Sequence, residues 1–249
     1  MVDVFDDLGA EYAHLNAVLA ALSPAQWAHP SAAAGWSVAD VVLHLAQSEE
    51  LAAASVAGDE SLFAAGFDDR GSGGRVDAVA GERVAAQRGA SPAGLLDRWR
   101  TVALPLPDAL RARPKGTRVR WITNRLSPAA LATTRLAEHW AHAHDITDAL
   151  GLAYPDTARL RHIAWLGHRT LPYAFAVEGR EAGPVYCELT APDGGTWRYG
   201  DPSAPSAITG TAAEFCRVGA RRLAPADTAL TATGPYGPAA LAVLRNYAS

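Results

Sequence analysis

Apolar residues recur at helical intervals through most of the chain and switch to alternation in its last third. From Val2 to Leu22, the residues Val4, Phe5, Leu8, Tyr12, Leu15, Val18, Leu19 and Leu22 keep a three-and-four spacing that predicts one amphipathic helix. Ser23-Pro24 starts a short new turn, with Ser as the cap and Pro permitted at the first helical position. Ser37 opens the next helix. Asp40 three residues on completes a capping box, Trp36 is placed to pack on Val41, and Val38, Val41, Val42 and Leu45 form an apolar face with His44 at its margin.

From Gly58 to Ala90 the pattern is less regular, and the Gly-rich stretch Gly66 to Arg75 reads as a mobile connection able to cover a cleft. Ser91-Pro92 opens a helix carrying Leu95, Leu96, Trp99 and Val102, which Pro105 and Pro107 end or kink. Ser127-Pro128 repeats the start for a long helix reaching Leu150, with Gly151 as a suitable residue just past its end. A further helix over about Thr157 to Val177 is expected to bend at Pro172.

After Gly179 the period changes to two. Val185, Cys187 and Leu189 alternate with Tyr186, Glu188 and Thr190, Asp193-Gly194 marks a turn, and Thr196 to Tyr199 returns, which predicts a β-hairpin. Thr211 and Glu214 form a second capping box for a helix to about Leu223; a short strand near Ala229 to Ala232 and a helix from about Pro238 to Tyr247 follow. The expected architecture is mainly α: a helical bundle over residues 1–178, then a small α/β (α+β) domain over 179–249.

Composition narrows the class. The 249 residues hold 49% hydrophobic and 19% charged positions, a globular balance. Twenty-two basic against 26 acidic residues give a net charge of −4 without a like-charge run, so nucleic acid is not the expected partner. No stretch reaches the ~20 apolar residues that span a bilayer. The N-terminal MVDVFDDLGAEYAHL has neither the basic nor the apolar region of a signal peptide, and two cysteines imply no disulfide framework, so a reducing cytoplasm is expected. Cys187 and Cys216 fall at inward positions and are expected to pack rather than react.

The chemistry concentrates in RLAEHWAHAHDITDALG. Glu138 and His142 are four residues apart on one helical face, so carboxylate and imidazole can converge on one ion, and Asp145 continues that face where it can orient His142. A third ligand must come from elsewhere, and His44 is the natural candidate. Two His and one carboxylate leave coordination positions open, as in a working site rather than a closed structural one. The same residues also read as an ordinary hydrogen-bonded i, i+4 pair and a histidine on an amphipathic helix. His139 and His144 are rotated off this face and suit a partly exposed or hydrogen-bonded role, while His14, His29, His162 and His168 have no partner at ligand spacing.

GWSVADVVLHLAQSEE followed by RLAEHWAHAHDITDALG resembles the DinB-like metal-dependent four-helix bundles, and more narrowly the actinobacterial mycothiol-dependent maleylpyruvate isomerase family. The resemblance extends into VYCELTAPDGGTWRYG and ITGTAAEFCRVGARRLAPADTALTATG and so covers nearly the whole chain. It implies a metal-binding bundle with a smaller C-terminal α/β domain, His44, Glu138 and His142 as ligands, zinc as the ion, and mycothiol as a thiol cosubstrate. It also implies a substrate-binding arginine in the C-terminal domain, matched by Arg221 or Arg222. The implied activity is isomerisation of an unsaturated acid or thiol transfer to a small electrophile. The alternatives are a thiol-independent hydrolase, lyase or cyclase of secondary metabolism, and a non-catalytic metal- or ligand-binding protein. The expected assembly is a monomer or a homodimer.

Overall fold

The computed structural model describes residues 3–63, 73–122 and 124–246. Among them the chain is mainly helical, a helical bundle followed by a small α/β part, and it divides into two compact units between Tyr154 and Pro155.

The first unit is built on α1 (Val4–Ala21), α3 (Val38–Ala57), α5 (Pro92–Ala103) and α7 (Pro128–Leu150). α3 packs on α5 and α7, and α1 packs on α7 and α5, which closes a four-helix bundle. Leu8, Tyr12, Leu15 and Leu19 bury one stripe of α1, and the edge of Tyr12 meets Trp99 of α5 with ring centroids 5.9 Å apart. The starts follow the sequence signals. Asp3 caps α1, Ser23 caps the single turn α2 (Pro24–Trp27), Ser91 caps α5 and Ser127 caps α7. Ser37 and Asp40 close their capping box at α3, and Gly58 and Gly151 take left-handed conformations just past α3 and α7.

Pro105 stands at the start of a separate short helix, α6 (Leu106–Arg111), so the two prolines divide the helical run as expected. Some elements have no counterpart in the sequence reading. α4 (Gly73–Gln87) occupies part of the irregular segment, so the end of the Gly-rich stretch is helical; its residues 66–72 lie outside the described residues. A small antiparallel ladder pairs β1 (Val119–Trp121) with β2 (Asn124–Leu126).

The second unit begins earlier than the expected break near residue 178. The Thr157–Val177 region forms α8 (Leu160–Arg169) and α9 (Leu171–Val177) and clusters with the C-terminal elements. Pro172 has no N–H to continue an i→i−4 ladder, and the helix divides at Thr170. α8 packs on α10 (Ala212–Gly219) and on β4 (Thr196–Tyr199), which draws the boundary back before residue 160.

The sheet has the order β4, β3 (Val185–Thr190), β5 (Ser206–Thr211) and β6 (Thr231–Thr233). β3 pairs antiparallel with β4 and parallel with β5, and Val185, Cys187 and Leu189 alternate inward as the period of two requires. α10 stops at Gly219 rather than near Leu223 because Arg221 takes a left-handed φ of 60°. α11 (Gly237–Val243) ends before Asn246, whose backbone N–H donates to Gly219 O.

The α3 cap at Ser37 sits about two turns before His44, so its loss loosens the helix that carries that residue. Ser37→Ala is expected to lower stability by about 1 kcal/mol, read as a shift of the urea midpoint with an unchanged slope.

Candidate metal centre

α3 and α7 bring together three residues that the chain keeps far apart. His44 Nε2 lies 2.9 Å from Glu138 Oε1, and His142 Nε2 lies 3.5 Å from the same oxygen. The ligand atoms of His44, Glu138 and His142 all fall within 4.8 Å of one another. Glu138 and His142 share a face because they are one α-helical turn apart, whereas His44 arrives only through the packing of α3 on α7. The cluster is partly open to solvent, with 14% of the His44 side chain, 25% of Glu138 and 11% of His142 exposed.

Asp145 is where the spacing put it. Its Oδ2 accepts a 2.8 Å hydrogen bond from His142 Nδ1, which fixes the ring and turns Nε2 toward Glu138. Trp36 walls the site: its ring centroid is 5.1 Å from that of His44 and 6.4 Å from that of His142.

Burial opposes charge on all three residues, but their contacts separate them. Burial pushes the Glu138 carboxyl up, and hydrogen bonds from His142 and His44 with the Arg135 charge outweigh it, leaving the group well below its ordinary value. Burial pulls His142 down, yet Asp145 and Glu138 raise it above the ordinary histidine value. His44 stays below that value because burial dominates. The arrangement is one anionic oxygen between two ring nitrogens, a donor set that suits a divalent ion of the borderline class.

A buried polar layer beside the cluster was not foreseen from the sequence. Glu49 is fully buried, and neither of its carboxylate oxygens has a hydrogen-bond partner among the described residues. Arg135, with 4% of its side chain exposed, places Nη1 3.6 Å from Glu49 Oε1. His139 is fully buried and hydrogen-bonded rather than partly exposed: Nδ1–H donates to Arg135 O at 2.9 Å and Nε2 accepts from Trp99 Nε1 at 3.0 Å. Burial pushes the His139 ring down to about 3, so it is neutral and the 3.5 Å approach to Glu49 is not an ion pair. No local spacing links Glu49 to Arg135; a charged residue on an otherwise apolar helix face was the available signal. His144 is likewise buried, with Nδ1 3.4 Å from Asp148 Oδ1.

Arg221 and Arg222 belong to the second unit. They line a groove of about 420 Å³ with Val218, Leu223 and Asp227, and Arg222 Nη1 donates to Ala220 O at 2.7 Å. Cys187 and Cys216 are fully buried there, and burial pushes the Cys187 thiol up to about 12 and Cys216 well above its ordinary value. Among the described residues, no helix is long and apolar enough to cross a membrane.

A four-helix bundle with a two-histidine, one-carboxylate cluster facing solvent defines the class of a helical-bundle protein with a candidate metal centre. Comparison places it further. Residues 8–147 match the mycothiol maleylpyruvate isomerase N-terminal domain, and the chain belongs to that enzyme family. It is 39% identical over 232 residues to an uncharacterised protein from each of two Mycobacterium tuberculosis strains, CDC 1551 / Oshkosh and H37Rv, covering 92% of this chain and 88% of theirs. A crystal structure of the mycothiol-dependent maleylpyruvate isomerase has the same fold, with a TM-score of 0.62 at 16% identity, over 94% of this chain and 96% of that one. The H52A mutant of that enzyme superposes with a TM-score of 0.60.

Glu49 provides a test of the buried layer. Burial raises its carboxyl to about 7 from an ordinary 4.5, against the pull of Arg135 and Tyr12. As pH climbs from 4.5 to 7 the unfolded chain releases this proton while the folded chain keeps it, so stability falls across that window. Glu49→Gln is expected to remove that slope. Urea unfolding of the metal-free proteins should show the variant gaining on wild type between those pH values, by on the order of 3 kcal/mol, then running parallel above them.

Proposed function

We propose that the protein is a divalent-metal-dependent enzyme of small-molecule thiol chemistry, with His44, Glu138 and His142 as metal ligands and zinc as the ion. The observation that carries this reading is the convergence of the three donor atoms within 4.8 Å on a partly exposed face of the family's domain. Two imidazoles and one carboxylate would leave coordination positions for water, thiol or substrate. A metal held there supplies Lewis acidity that lowers the pKa of a bound thiol or water and polarises a substrate oxygen.

The remaining roles fall to residues of the chain. Asp145 holds the His142 Nδ1 proton and thereby keeps Nε2 as the ligating atom. Trp36 shields both imidazoles from one side and limits how bulk water reaches them. The chain's own thiols are buried and held protonated, so the nucleophilic sulfur must come from a cosubstrate, for which mycothiol is the family's thiol. The reaction we infer is isomerisation of an unsaturated acid such as maleylpyruvate by reversible thiol addition, or thiol transfer to a related electrophile. Arg221 or Arg222 is assigned to a carboxylate of substrate or thiol, because both guanidinium side chains line the groove of the second unit.

Metal content and turnover test this together. Wild type is expected to carry about one equivalent of zinc and to isomerise maleylpyruvate only when mycothiol is present. His44→Ala and Glu138→Ala should lose both metal and activity by more than the roughly 10–100-fold that outer-shell changes produce, with far-UV circular dichroism unchanged. Folded wild type that takes up no divalent ion would overturn the reading, and turnover without any thiol would replace it with a metal-dependent hydrolase, lyase or cyclase.

A further inference from the structure

Arg135 is a buried cation that faces two carboxylates at once. Its Nη2 stands 3.8 Å from Glu138 Oε2, its Nη1 stands 3.6 Å from Glu49 Oε1 and donates to Ser48 Oγ, and its guanidinium carbon lies 4.4 Å from the centroid of the Trp121 ring. The two oxygens of Glu138 are thereby divided. Oε1 looks toward His44 and His142, at 2.9 and 3.5 Å, while Oε2 looks toward Arg135.

We propose that Arg135 is a positioning residue that retains Oε2 of Glu138 and leaves Oε1 as the single ligating atom of that carboxylate, with Glu49 supplying the counter-charge that balances the guanidinium. The inference rests on the metal-binding reading of the site. A carboxylate free to turn about its last torsion can offer both oxygens to one ion, which would occupy a coordination position that a thiol or substrate needs. A planar guanidinium stacked on an indole and shared among Ser48, Glu49 and Glu138 has few alternative orientations, so it fixes its neighbour more firmly than a flexible ammonium would. Charge balance points the same way. An uncompensated cation beside Glu138 would oppose a second cation there, whereas paired with Glu49 it adds no net charge to the site.

The test uses full-length protein loaded with cobalt(II) at pH 8, read by its visible d–d bands and by competition with a chelator. Wild type is expected to bind about one cobalt ion. Arg135→Met keeps a long unbranched side chain in the layer and removes the group that holds Oε2. Its bands should weaken and shift as coordination number rises, and its affinity should fall about tenfold or more. Arg135→Lys, whose compact ammonium cannot span both carboxylates, should change the bands in the same sense and serves alone if Arg135→Met does not fold. Glu49→Gln should weaken cobalt binding about tenfold while leaving band intensity as in wild type, because Arg135 stays in place with its charge unbalanced. Wild-type bands and affinity in a folded Arg135→Lys overturn the proposal. So does an affinity loss with unaltered bands in both Arg135 variants, which marks a merely structural role. Wild type that binds no cobalt defeats the metal reading beneath it, and the two failures are distinguished because this one precedes any substitution.

Discussion

The contact on which the rest of the site depends is the 2.9 Å approach of His44 on α3 to Glu138 on α7. It joins residues 94 positions apart, and nothing local to either helix enforces it. It exists because α3 is apolar on more than one side. Val41, Val42, Leu45 and Ala46 are all fully buried, and α3 packs against both α5 and α7. Burial of that much apolar surface fixes the helix about its axis to within a side chain, and His44, at the edge of the buried stripe, is carried to the α7 face. The capping box at Ser37 and the left-handed Gly58 set where the helix starts and stops, and therefore how far along α7 the histidine arrives.

Placing so many ionisable groups in a bundle runs against desolvation. Glu49, Arg135, His139, His142 and Asp145 are buried, and a bundle built only for stability would hold apolar side chains at those places. Each group is tolerated through a different partner. His139 is kept neutral between Arg135 O and Trp99 Nε1, Asp145 is matched to His142, and Arg135 lies between two carboxylates. Glu49 is the least satisfied, and its elevated carboxyl records the strain. Opposing pKa displacements are thus concentrated within a turn or two of the partly open cluster, the kind of place where functional groups gather.

The candidate groups are distributed over both units. The bundle carries the candidate metal cluster, and the second unit carries the arginine-lined groove and both cysteines. Because those cysteines are buried in β3 and α10, their role is packing, and any thiol chemistry draws on a small molecule instead. The mycobacterial relatives are similar over residues of both units, since the match covers 92% of this chain.

Much of this was legible in the chain itself. Ser-X-X-Asp, Ser-Pro and terminal Gly signals mark the bundle helices because caps satisfy backbone groups within a few residues, and the Glu138–His142–Asp145 face follows from 3.6 residues per turn. The alternation of Val185, Cys187 and Leu189 made β3 readable for the same local reason. What depended on distant neighbours was not readable. The boundary between units moved ahead of α8 because that helix finds its partners in α10 and β4, the parallel pairing of β5 with β3 has no turn to announce it, and α4 overrode a Gly-rich beginning. Sequence periodicity determined which residues share a face; only the packing of α3 on α7 decided that His44 meets Glu138 and that Arg135 stands between Glu49 and Glu138, since helical spacing specifies neighbours along one axis and side-chain burial alone specifies neighbours across two.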